Sequence, residues 1–197
     1  VMNSKARLTY NQVHDMLTNE ASEHRQTFAD YVSNIEDLNA LYGLLKQARE
    51  ERGALDFDTT ETRIVFDEHR KIEKIVPTVR NEAHKLIEEC MLMANVATAR
   101  YLKWHKIPML YRVHEKPSEE RLKNLRTFLG DFGLTLEGGD SPDAQDYAAI
   151  SAAVKGQPHE HLVKTVLLRS MNQAVYQTEN LGHFGLNYEY YLSLIHI

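Results

Sequence analysis

Arg80, His84 and Glu88 follow one another at intervals of four in the stretch RNEAHKLIEEC. On a helix such positions share a face, so an imidazole and a carboxylate there have the spacing of metal ligands, with a guanidinium one turn earlier. The same trio also makes an ordinary solvated stripe with side-chain pairing, and residue types alone favour that plainer reading. His159, Glu160 and His161 bring metal-capable groups to a helix start, but adjacent positions diverge around a helix, which puts them on the surface. Cys90 carries a nucleophile's thiol, yet it falls on the apolar side of its helix with Ile87 and Ala94, as a buried structural residue does. Two aromatics have two roles open. Phe57, in GALDF, either fills the core or projects into a groove and stacks on a base, a contact worth about 1–3 kcal/mol; with no further signal, core has the stronger claim. Tyr10, in RLTYNQV, is open in the same way. Basic residues gather at Lys5 and Arg7, at Arg70, Lys71 and Lys74, and at Arg80 and Lys85. Each group is ordinary surface by itself and a phosphate path only if the groups face one another. No glycine-rich phosphate loop, paired-cysteine zinc signature or nucleophile–base motif appears.

The elements that must position these residues follow from periodicity. Residues 20–52 carry Phe28, Val32, Ile35, Leu38, Leu41, Leu45 and Ala48 in steps of three and four, which predicts one long helix stopped by Gly53. Residues 62–76 change period: Ile64 and Phe66 alternate with polar neighbours, DEHR turns, and KIEKI returns, which predicts a hairpin. Residues 78–105 predict a second long helix with Val79, Ala83, Leu86, Ile87, Cys90, Ala94, Ala97 and Tyr101 on its apolar face, ended by Pro108. Ser118 caps a helix with acids in its first turn and Leu122, Leu125, Phe128 and Leu129 inward. Ser141 as cap, Pro142 at the first helical position and Gly156 at the end predict another. A last helix is expected over residues 158–176, burying Leu162, Val166, Leu167, Met171 and Ala174. Gly182-His183-Phe184-Gly185-Leu186 reads as a tight turn between two helices. The fold class is therefore α+β, one mostly helical domain with a small β-hairpin.

Composition narrows the function classes. The 197 residues are 43% hydrophobic and 26% charged, ordinary for a globular domain. No stretch approaches the roughly 20 apolar residues that span a bilayer, so no membrane role is expected. The single cysteine, Cys90, excludes an internal disulfide framework and fits a reducing, cytoplasmic compartment. At a net charge of −5, a nucleic-acid ligand requires cations gathered on one face against the overall sign.

Five stretches in order carry a resemblance: ARLTYNQV; AREERGALDFDTTETRIVFDEHRKIEKIVPTVRNEAHKLIEECMLMANVATARYL; LYRVHEKPSEERLKNLRTFLGDFGL; TVLLRSMNQAVY; and GHFGLNYEYY. Together, over residues 1–191, they resemble the catalytic domain of the ribonuclease II (RNB) family, and within it the ribonuclease R branch. The resemblance implies an internal piece of a processive 3′-to-5′ exoribonuclease that hydrolyses single-stranded RNA to nucleoside monophosphates at the end of a narrow channel. It implies Mg²⁺ as cofactor, held by clustered aspartates, and a monomeric parent protein. It assigns three substrate-binding residues: Phe57 to the aromatic that stacks on the buried nucleotides, Glu88 to a carboxylate that contacts ribose, and Tyr10 to a tyrosine that separates RNA from DNA. A 2′-hydroxyl both donates and accepts a hydrogen bond, so a carboxylate and a phenol suit that reading. No aspartate cluster of the family type occurs in residues 1–191, so neither a catalytic residue nor a metal ligand is assigned. After Tyr191 the family continues through a Ser-Pro segment to basic residues, whereas LSLIHI resembles nothing in it; residues 192–197 are expected to be a non-native tail, with no role for His196. The piece by itself is expected to be inactive. The alternative reading is an RNA-binding module that lost the metal site, and a lesser one is a helical interaction scaffold with no RNA role.

Overall fold

A computed structural model describes residues 3–55, 62–77 and 80–196, and the protein divides into two compact units. The first takes residues 1–46 and 58–91, the second residues 47–57 and 92–197.

The first unit begins with α1 (Tyr10–Thr18), set by a capping box in which Thr9 accepts from the Gln12 N–H and the Gln12 side chain accepts from the Thr9 N–H. The single helix expected over residues 20–52 is instead α2 (Glu23–Thr27), a 3₁₀ turn (Ala29–Tyr31) and α3 (Val32–Arg52). Ser22 starts a new helix by accepting from the Arg25 N–H, and the 3₁₀ turn keeps the apolar residues in phase across the break, so periodicity alone hides it. Along α3 the buried residue is Tyr42, whose hydroxyl donates to Glu82 at 2.9 Å, while Leu38 and Leu41 are exposed.

The hairpin forms as expected, with β1 (Thr62–Phe66) antiparallel to β2 (Ile72–Pro77) and a bulge between Val65 and Phe66. Asp67 closes it: its carboxylate accepts from the His69 and Lys71 N–H groups at 2.8 Å each, and Arg70 takes the left-handed conformation. Ile64, Phe66, Ile72 and Ile75 are exposed.

Helix α4 (Glu82–Trp104) passes from the first unit into the second. Its buried line is Ala83, Leu86, Glu89, Leu92, Asn95, Val96 and Ala99, which corrects the expected face. Ala83 and Leu86 were read rightly, but Ile87, Ala94, Ala97 and Tyr101 are exposed and Cys90 is only half-buried. Hydropathy misses the line because two of its positions are polar. Asn95 is satisfied on both sides, donating to the Tyr191 hydroxyl at 3.0 Å and accepting from the Leu194 N–H at 3.1 Å.

In the second unit the end of α3 turns through Gly53 at φ +69°; a Cβ there would sit 2.2 Å from Gln145 Cγ, so the site demands glycine twice over. Helices α5 (Glu119–Gly130), α6 (Ala144–Ala153) and α7 (Glu160–Ser170) bury Leu125, Leu129, Tyr147, Ile150, Val163 and Leu167 in one cluster. Ser118 caps α5 as expected. The cap of α6 is Asp143, in a capping box with Asp146, rather than Ser141, because Pro142 is buried ahead of the helix. Helix α7 stops at Ser170, short of the expected residue 176, and Leu162 on it is exposed. The chain beyond it is β4 (Val175–Gln177), antiparallel to β3 (Tyr111–Val113), a second sheet that a three-residue strand is too short to announce. The turn at residues 182–186 follows β4 and leads to a 3₁₀ turn (Leu194–His196), not to a helix. Leu192 is fully buried. No helix among the described residues is long and apolar enough to cross a membrane.

Candidate nucleic-acid interface

Tyr10 is the first residue of α1, placed by the Thr9 capping box, and its ring stacks on His84 with centroids 4.1 Å apart and planes 24° from parallel. His84 sits in the first turn of α4. Asn81 precedes that helix and caps it, its Oδ1 accepting from the His84 N–H at 3.3 Å. The same oxygen lies 2.7 Å from His84 Nδ1, while the Asn81 N–H lies 3.3 Å from that nitrogen. One nitrogen cannot both donate and accept in the neutral ring, and the shorter contact assigns the proton to Nδ1. The amide of Asn81 then donates from Nδ2 to Asn11 Oδ1 at 3.2 Å, tying α1 to the start of α4.

Glu88 lies one turn beyond His84 on the same helix face and forms an ion pair with Arg80. The spacing Arg80–His84–Glu88 thus serves pairing and stacking. Among the described residues, no three His, Cys, Asp or Glu side chains stand close enough to hold a metal ion. Of the grouped cations that form a phosphate path only if they face one another, Lys85 pairs with Glu82 at 3.3 Å and Lys74 with Glu73 at 3.8 Å, while Lys5, Arg7, Arg70 and Lys71 are exposed. The Tyr42 hydroxyl, and then Lys85, hold the Glu82 carboxyl below the usual carboxylate range. Beside Tyr10 lies a groove of about 360 Å³ whose lining includes Leu8, Val13, Ile35, Leu38, Leu86 and Ile87. The face therefore offers a phenol at an apolar trough, with a paired carboxylate one turn of α4 beyond the histidine that the phenol stacks on.

Tyr10 and Glu88 are brought to one neighbourhood through His84; Phe57 lies outside the described residues. The chain leading to it is fastened in the second unit by the turn at residues 182–188. The Leu55 N–H donates to the Gly185 carbonyl at 2.8 Å, and Arg52 Nε donates to the Leu186 carbonyl at 2.9 Å with its guanidinium 4.0 Å over the Tyr188 ring. The turn is anchored by two histidines whose rings meet edge to face, centroids 5.1 Å apart. His114 Nδ1 accepts from the Gly185 N–H at 3.1 Å and His183 Nδ1 from the Leu186 N–H at 3.2 Å. Burial lowers both, and His183, with His114 beside it, is pushed down to about 3, so both are neutral acceptors near pH 7.

The RNB domain family model matches residues 1–195. This chain belongs to the RNB family. Among its relatives, ribonuclease R of Vibrio cholerae is 52% identical over 186 residues, 94% of this chain and 22% of that protein. Ribonuclease R of Escherichia coli is 45% identical over 97% of this chain and 23% of that protein. Among solved structures, Mycoplasma genitalium RNase R in complex with ribose methylated single-stranded RNA matches with a TM-score of 0.85 at 30% identity, over 95% of this chain and 29% of that one. The RNB chain thus spans about a fifth to a quarter of the length of these curated relatives. The resemblance carried by the five motifs, and the α+β class with it, holds. What sequence reasoning missed is the role of His84 and Asn81: the i, i+4 spacing marked the α4 face, but nothing local connects it to Tyr10.

Proposed function

We propose that this RNB chain is part of a processive 3′-to-5′ exoribonuclease, a cytoplasmic and monomeric protein that degrades single-stranded RNA, and that it supplies wall to the RNA channel. Tyr10 and Glu88 read the ribose, and Phe57 stacks on the buried bases. The observation that carries this reading is the Tyr10–His84–Glu88 face, where a phenol beside an apolar groove stacks on His84, one helical turn along α4 from a carboxylate, the two group types that suit a 2′-hydroxyl. The relative whose structure holds single-stranded RNA supports RNA as the ligand class.

The Glu88 carboxylate accepts the hydrogen bond that the 2′-hydroxyl donates, and Arg80 fixes its orientation. Tyr10 donates or accepts as the sugar requires. Deoxyribose offers Glu88 no donor and Tyr10 no hydroxyl to bond, so each group loses a hydrogen bond that RNA supplies, and that loss is the source of discrimination. Mg²⁺ belongs to the reaction of this reading, but the described residues do not fit it, since they bring no three acidic, histidine or cysteine donors together. No step of the proposal runs through the ion.

The test is degradation of a 3′-labelled and a 5′-labelled single-stranded RNA by the complete protein. Early release of the 3′ label as nucleoside monophosphate, with the 5′ label retained to a short end product, supports the proposal; Phe57→Ala then changes the length of that product. RNA binding without degradation supports the non-catalytic module instead, and no salt-dependent RNA binding at all supports the scaffold.

A further inference from the structure

We infer that His84 is a positioning residue for ribose recognition: its imidazole is the platform that holds the Tyr10 ring beside Glu88. The inference rests on the ribose-reading role proposed for Tyr10 and Glu88. Tyr10 stands at the very start of α1 and is 46% exposed, so few neighbours restrict its ring. The stacked contact at 4.1 Å is the one aromatic contact it makes among the described residues. His84 is itself held in place, by Nδ1 donating to Asn81 Oδ1 and by the helix turn beneath it. Asn81 passes the constraint back to α1 through Asn11, so the ring pair and the amide bridge close a loop between the two helices. The path from Glu88 to Tyr10 then runs over one turn of α4 and one ring stack. An exposed tyrosine free to sample several rotamers loses entropy on binding; one held by a stacked ring has less to lose.

His84 also has a plainer job: its Nδ1 hydrogen bond steadies the Asn81 side chain that caps α4. The two jobs separate by substitution. His84→Gln keeps a donor for Asn81 Oδ1 and removes the ring. His84→Phe keeps a ring face and removes the hydrogen bond. Each is measured in the complete protein as the ratio of kcat/KM on matched single-stranded RNA and DNA, beside Tyr10→Ala and the double variants. We expect Tyr10→Ala to lower the RNA preference roughly three- to tenfold, the weight of one hydrogen bond. His84→Gln lowers it by a similar factor, adds nothing on top of Tyr10→Ala, and His84→Phe stays within about twofold of the parent. His84→Ala is the second ring-less variant and follows His84→Gln. If His84→Gln keeps the full preference while Tyr10→Ala loses it, the inference is overturned and the His84 hydrogen bond alone matters; if His84→Phe loses as much as His84→Gln, it is overturned because a ring face does not suffice to hold Tyr10. If Tyr10→Ala itself leaves the preference unchanged, the ribose reading falls, and the inference with it.

Discussion

In the α5–α7 cluster, Leu125, Leu129, Tyr147, Val163 and Leu167 are 1% exposed or less, and each is held by several neighbours at once. At the start of α1, Tyr10 is 46% exposed and is placed by a helix cap and a single stacked ring. Redundant packing makes the first region tolerant of losing any one small contact but costly to hollow out. The second is held by few contacts, so its side chains can be changed at small cost to folding, and the proposed role predicts a larger cost to recognition. On the proposed ribose-reading role, that separation lets the Tyr10 face stay partly open to water while the cluster keeps the chain folded.

The largest effect that tests the contrast is Tyr147→Ala. It removes a fully buried aromatic and its 3.2 Å contact to the Ser170 hydroxyl, and is expected to cost about 3–5 kcal/mol in the unfolding equilibrium. A loss under about 1 kcal/mol in denaturant titration breaks the claim that the cluster is tightly packed. Acidification comes next. Because His183 is held down to about 3, the folded chain refuses a proton that the unfolded chain accepts below the ordinary 6.5. Stability is therefore complete above 6.5 and falls as pH drops from there towards 3, by about 2 kcal/mol between pH 7 and 5. Thermal unfolding across that range should show the slope, and His183→Asn, which keeps an acceptor and cannot titrate, should reduce it and leave the part that buried His114 contributes. The smallest effects sharpen the contrast most. Thr9→Ala and Asp143→Ala each remove a capping-box side chain, at about 1 kcal/mol. The first should also loosen Tyr10 and reduce the RNA preference; the second should leave that preference unchanged.

The cluster was legible in the sequence because its helices obey one rule. Leu122, Leu125 and Leu129 repeat at helical spacing behind Ser118, and the structure buries all three. Helix α4 breaks the rule, since polar Glu89 and Asn95 occupy its buried line, and Asn95 is satisfied by Tyr191 and Leu194, partners that no local pattern announces. Strands β3 and β4 escaped notice for a different reason: three residues cannot show a period, and their pairing joins segments more than sixty positions apart. The candidate site was half legible. Resemblance picked out Tyr10 and Glu88 and spacing put His84 with Glu88, but the stack that joins Tyr10 to them is a tertiary contact.

The claim that this face reads ribose is tested most directly by one assay: the complete protein and its Tyr10→Ala, Glu88→Ala double variant, each given the same single-stranded sequence as RNA and as DNA. The account predicts that the parent degrades RNA far faster than DNA and that the double variant narrows the gap by at least about tenfold, chiefly by gaining on DNA relative to RNA. An unchanged ratio in a variant that still degrades RNA at the parental rate would contradict it.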